Sequence, residues 1–152
     1  MPIWVEVEDP HKQYPCMCYH PSREWLTENG WNPDTAGSVE ICNATNFLSW
    51  THEQPYMVLH EMAHAYNQQM WSYDNADVKA AYERAKAAGI YESVLRYNGN
   101  VARHYALNSP DEYFAESTEA FFGTNDYYPF VRVELQKHDP TMCELVKKLW
   151  GA

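Results

Sequence analysis

Residues 60–64 read His-Glu-Met-Ala-His. On a helix, positions i and i+4 leave the same face one turn apart. His60 and His64 can therefore both ligate one zinc ion. Glu61 then stands beside the metal, where it can take a proton from a water that the metal has made acidic. The H-E-x-x-H pattern fixes three letters in five, so its chance expectation in a chain of this length is roughly 0.01 or less. The competing reading is an amphipathic helix with two histidines on its polar side. Context weighs against it: Met57, Val58 and Leu59 precede the pentad, and Ala63, Ala65 and Tyr66 make the rest of the helix apolar or small. A buried helix carrying two imidazoles and a carboxylate needs partners for them, because an unpaired buried polar group costs on the order of a few kcal/mol. A metal supplies that partner. The chemistry implied is hydrolysis, most readily of a peptide bond.

A catalytic zinc takes three protein ligands and keeps one position open for water. Metzincins draw the third from an extended H-E-x-x-H-x-x-G-x-x-H motif. Here Asn67 stands in place of that glycine and Met70 in place of the third histidine, which excludes the class. A carboxylate from a later helix is the alternative, and Glu112-Tyr113-Phe114-Ala115-Glu116 offers two at i, i+4 on one helix face. This stretch resembles the E-x-x-x-D/E element of the gluzincins. In detail it is similar to the lethal-factor-like branch, which includes the Pro-Pro endopeptidases. Two spacings carry that likeness: Glu112 lies 48 positions after His64, and Tyr105 lies seven before Glu112; Phe121 to Pro129, FFGTNDYYP, also resembles a group of secreted relatives. The resemblance covers mainly residues 52–130 and is silent on residues 1–50.

The resemblance implies a single zincin-like α+β domain over residues 1–152, with a small mixed sheet packed on an active-site helix and a mostly helical C-terminal half. It implies His60, His64 and Glu112 as ligands of one catalytic Zn2+, Glu61 as general base and Tyr105 as oxyanion stabiliser. Glu116 is then a supporting residue that orients a ligand histidine, His60. Each role has a rival. Glu112 also fits a capping box with Ser109 (S-x-x-E), and the two uses compete. Glu119, a turn further along, reads as solvated. Tyr105 is read on a strand, with His104 on the opposite face as its replacement. The expected activity is that of a zinc metalloendopeptidase on an extended peptide or protein substrate, added to an edge strand for which Val39–Cys42 is the candidate. The alternative is a weakly active or inactive zinc-binding module for peptide or carbohydrate on the same scaffold. A third possibility is a peptidase domain cut from a larger toxin or enzyme.

Composition narrows the partners. The net charge is −10, from 11 Lys+Arg against 21 Asp+Glu, which disfavours nucleic acid and anionic membranes. No apolar run approaches the length of a membrane span. A monomer is expected. Aromatic content is 15%, with 12 Tyr and 6 Trp, read as a packed core plus a Tyr-rich surface before a substrate groove. No leader is evident, since Met1-Pro2-Ile3-Trp4 runs straight into a strand-like stretch; the initial Met is open to being a cloning remnant. The four cysteines, Cys16, Cys18, Cys42 and Cys143, fit two disulfides in a secreted or extracytoplasmic protein. The expected bridges tie the Cys16/Cys18 segment to Cys42 and to Cys143. The rival reading makes Cys16, Cys18 and His20 one face of a strand and a second metal site.

The elements that must position these residues follow from periodicity and caps. Ile3 to Val7 and Val39 to Cys42 read as strands, and residues 9–21 as loop. Ser22 caps a short helix stopped near Gly30. The pentad helix is expected to begin between Thr51 and Pro55 and to run to about Met70. Asn75 caps Ala76–Ala88, which Gly89 closes. Asn98-Gly99-Asn100 turns a hairpin between Tyr91–Tyr97 and Val101–Leu107. Ser109-Pro110 starts a helix through Glu116 to Gly123. Short helices follow near residues 129–137 and 140–150, the last with Met142, Leu145, Val146 and Leu149 as an apolar stripe for the core.

Overall fold

The computed structural model describes residues 1–7 and 17–152. Among them it is a mixed α+β structure with seven α-helices and a small sheet. Strands β1 (Ile3–Val5), β2 (Met17–Tyr19) and β3 (Val39–Ile41) form the sheet in the order β1-β3-β2. β1 runs parallel to β3 and β2 antiparallel to it, with Cys18 opposite Glu40. Val39–Cys42 was the expected edge, yet among the described residues β3 is the central strand, flanked on both sides, and β1 and β2 are the edges. Glu40, in the middle of β3, is buried.

Alternation sends Met17, Tyr19, Val39 and Ile41 to one face, where they pack with Met57 and Ala65. These last two belong to α3 (Met57–Trp71), the pentad helix. It starts at Met57, two residues past the expected window of Thr51 to Pro55, because residues 51–56 form turns and a bend and no side chain caps the helix at Tyr56. Before it lie α1 (Arg23–Glu28), capped by Ser22, and α2 (Ala44–Trp50), capped by Asn43.

The larger core gathers around α5 (Pro110–Phe122), in which every residue from Tyr113 to Phe121 is buried. Around it stand α3, α4 (Ala76–Ala88), α6 (Arg132–His138) and α7 (Pro140–Trp150). Asn75 and Gly89 bound α4 as their cap chemistry requires: Asn75 accepts from the Val78 N–H and Gly89 takes φ 67°. Buried Asp139 caps α7 through the Met142 N–H, accepts from the Tyr113 hydroxyl at 2.5 Å and pairs with Arg84 at 2.7 Å. The hairpin is present but short, with β4 (Val94–Leu95) pairing β5 (Val101–Ala102). Tyr105 is not on a strand. The His104 Nδ1 accepts from the Ala106 N–H and turns residues Tyr105–Asn108 into a 3-10 helix.

Cys143 is a free, buried thiol, so no bridge fastens α7 to the N-terminal half. Cys18 is a thiol with its sulfur 3.4 Å from His20 Nε2. Cys42 is fully buried and disulfide-bonded, and Cys16 lies outside the described residues.

His104 supports a first prediction. It is 2% exposed, its ring stacked on Tyr127 and edge-on to Tyr91. Burial, with a smaller push from His138, brings its pKa down to about 3. The folded protein then binds fewer protons than the unfolded chain between that value and about 6.5. Stability present above about pH 6.5 is lost as pH falls toward 3, by up to about 1.4 kcal/mol per pH unit. Urea unfolding of wild type and His104→Asn from pH 7 to 4 is expected to show the variant's curve falling less steeply. Parallel curves would remove His104 as the cause.

Candidate metal centre

The helices α3 and α5 lie antiparallel. Tyr56, just before α3, meets Gly123 at the end of α5, where a β-carbon would run into the Tyr56 ring. Further along, His60 meets Glu119, His64 meets Glu112, and Asn67 donates to Asp111 at 3.1 Å. Small, fully buried Ala63 and Ala115 face the core between these pairs.

The expected ligands converge. His60 Nε2 lies 3.0 Å from Glu112 Oε2 and 3.0 Å from His64 Nε2, and His64 Nε2 lies 3.3 Å from Glu112 Oε2. Donor atoms of a tetrahedral zinc with bonds near 2.0–2.1 Å stand about 3.3 Å apart. The three atoms therefore fit one ion to within a few tenths of an ångström. Glu112 also avoids the competition with capping. Ser109 Oγ accepts from the Glu112 main-chain N–H at 3.1 Å, which leaves the carboxylate to reach the histidines.

The supporting carboxylate is not the one expected. His60 Nδ1 donates to Glu119 Oε1 at 2.7 Å, whereas Glu116 Oε1 is 3.7 Å away. Glu119, expected in solvent, is 4% exposed. Helical geometry accounts for this: seven residues bring Glu119 to within about 20° of Glu112 around the axis, and four bring Glu116 only to about 40°. Glu116 turns instead to Asn125, whose Nδ2 donates to Glu116 Oε2 at 2.7 Å and to its carbonyl at 2.8 Å. The FFGTNDYYP run thus braces α5 from below. Asp126 in the same run holds Arg96 at 3.3 Å.

With Nδ1–H committed to Glu119, the neutral tautomer of His60 presents a lone pair at Nε2. That lone pair faces His64 Nε2 and a carboxylate at 3.0 Å. A cation among them satisfies all three donors. Burial pushes His60 down, yet the Glu112 and Glu119 hydrogen bonds more than offset it and hold the imidazole well above its usual pKa. Burial likewise pushes Glu112 up, and the two histidines pull it to about 2. A proton is the smallest cation this arrangement accepts; a divalent ion satisfies all three donors at once. Replacing Glu119 with Ala is expected to weaken zinc binding by about 10–100-fold without removing a ligand, as a chelator competition would read. Unchanged affinity would show that Glu119 plays no supporting part.

Glu61 points to the same place. Its Oε2 accepts from the Tyr19 main-chain N–H of β2 at 2.8 Å, and burial raises its carboxyl pKa. Two cavities meet at His60, Glu61, Tyr105 and Met17. One, of about 300 Å³, reaches Trp50, Met57 and Arg96; the other, of about 430 Å³, reaches Tyr73, Asp111 and His64. Tyr105 borders both, 45% exposed, with its ring 6.4 Å from that of His60. His104 is buried and lines neither cavity, although the strand alternation expected to separate it from Tyr105 is replaced by the 3-10 turn. The residues that sequence reasoning passed over are Glu119, Asn125 and the β2 pair Met17 and Tyr19. Only Glu119 had a signal, its position around the helix.

The chain matches no protein-family model, no curated protein and no solved structure. The reading of the site therefore rests on its own geometry. Among the described residues no helix is long and apolar enough to cross a membrane.

Proposed function

We propose that the chain is a zinc-dependent endopeptidase with a zincin-like catalytic domain of gluzincin type, secreted and acting as a monomer. The observation that carries this reading is the convergence of His60 Nε2, His64 Nε2 and Glu112 Oε2, with His60 locked in the ligating tautomer by Glu119. Zinc held there supplies Lewis acidity, lowering the pKa of water to about 7 and polarising a peptide carbonyl. Glu61 takes the proton of the attacking water and passes it to the leaving amine. Its buried setting raises its pKa and so makes the carboxylate a stronger proton acceptor. The Tyr105 hydroxyl, on the open side of the cleft, donates to the oxyanion.

A substrate would lie along β2. His20 uses its N–H and carbonyl toward Ser38 and Gly37 on the β3 side. By alternation the polar groups of Met17 and Tyr19 point the other way, toward the cleft. An extended peptide can add there by main-chain hydrogen bonds, its side chains falling alternately into the two cavities.

The test is metal analysis of the purified protein together with cleavage of a peptide library, with and without a zinc chelator. One zinc at the His60 site and chelator-sensitive cleavage are expected. Zinc at that site without any cleavage would favour the binding-module reading, and no zinc at all would remove both.

A further inference from the structure

The sheet has a second face. Met17 and Tyr19 of β2 turn toward α3, so Cys18 and His20 turn to the opposite side. The register places Glu40 of β3 across from Cys18. His20 Nε2 lies 3.4 Å from Cys18 Sγ and 2.5 Å from Glu40 Oε2. His20 and Glu40 are both at least nine-tenths buried. All three donor atoms lie within 4.8 Å of one another.

A nucleophilic Cys-His-Glu relay needs the thiol on one ring nitrogen and the carboxylate on the other. Here both meet the same Nε2. Sulfur, nitrogen and oxygen therefore converge on one point, which is the arrangement of ligands around an ion. A thiolate and a carboxylate carry two negative charges, matched by a divalent cation, and the thiolate with imidazole selects zinc-like metals over magnesium or calcium. Access is provided: a cavity of about 540 Å³, lined by Cys18 and His20 and walled by Trp25 and Trp31, opens on the cluster. A fourth ligand, such as water, can enter there.

We propose that Cys18, His20 and Glu40 bind a second, thiophilic divalent cation of the zinc class, separate from the ion of the pentad. Binding opens the His20–Glu40 contact, here a direct hydrogen bond, to about 3.3 Å. The ion ties β2 to β3 from the side away from α3. It thereby steadies a three-residue strand whose other side carries the Tyr19 N–H that holds Glu61. The role is a brace and needs no activity from the pentad site, so the two readings stand or fall apart.

The protein stripped by chelator and reloaded with Co2+ distinguishes them, because only this cluster contains sulfur. Wild type is expected to take two equivalents and to show near-ultraviolet sulfur-to-cobalt charge-transfer absorption. Cys18→Ser should lose one equivalent and that absorption while retaining the other ion. The His60→Ala/His64→Ala double variant should lose one equivalent and keep the absorption. Wild type without the sulfur band, or a band that survives Cys18→Ser, overturns the proposal. A readout on wild type alone guards against a Cys18→Ser chain that fails to fold. Alkylation of Cys18, located by mass spectrometry, should be slow with Zn2+ bound and fast after chelation; equal rates overturn the proposal.

Discussion

Glutamine at position 61 is expected to leave the protein folded and zinc-loaded while cutting peptide cleavage by about 10²–10⁴-fold or more. The exchange is nearly isosteric, and the amide oxygen can still accept from the Tyr19 N–H that Glu61 Oε2 now takes at 2.8 Å. The tie between α3 and β2 therefore survives. The metal ligands are untouched. What disappears is the ability to accept a proton from water and hand it on. Because fold and metal should be preserved, kcat carries the loss and KM moves little. A Glu61→Gln protein that cleaves at the wild-type rate would end the proposed mechanism, whatever its metal content.

The second large effect concerns Glu112. Glu112→Ala is expected to weaken zinc binding beyond the ~10–100-fold that loss of a supporting residue costs, and to abolish cleavage with it. Two imidazoles are all that remain from the protein. The substitution is a fair probe because α5 does not depend on this side chain for its start. Ser109 Oγ caps the helix through the Glu112 main-chain N–H, and Pro110 fixes the first turn. The unfolding temperature offers an independent check. Metal that binds only the folded state stabilises it by about 2.7 kcal/mol at a hundredfold excess over Kd. Addition of zinc should thus raise the midpoint of wild type by more than that of Glu112→Ala. Equal shifts would mean that Glu112 is not a ligand.

Much of the helical frame was legible because its punctuation is chemical. Asn75 and Gly89, Ser109 and Pro110, and Asp139 and Pro140 bound their helices in the structure as they do in the sequence. The pairing of His60 with His64 was legible as a matter of helical angle, whereas Glu112, on another helix, was legible only through the family resemblance. The failures arose where burial overrode local pattern. Val39–Cys42 was expected at the edge, but β3 is paired on both sides and Glu40 is matched by His20 and shut in. Glu119, one turn past Glu116, was expected in solvent, but a helix packed against α3, α4, α6 and α7 hardly has an outer face. The pairing of Cys143 was inferred from an even count, and a count carries no distances.

In the proposed mechanism, one hydrogen bond would tie the chemistry to the arrival of substrate. The Tyr19 amide, the rung that an incoming strand would need, is occupied by the carboxylate of Glu61, the proposed base. A peptide that claimed this rung would displace Glu61 and free it for the water. Docking and arming would then be a single event, and without a peptide the proton acceptor stays holstered on β2.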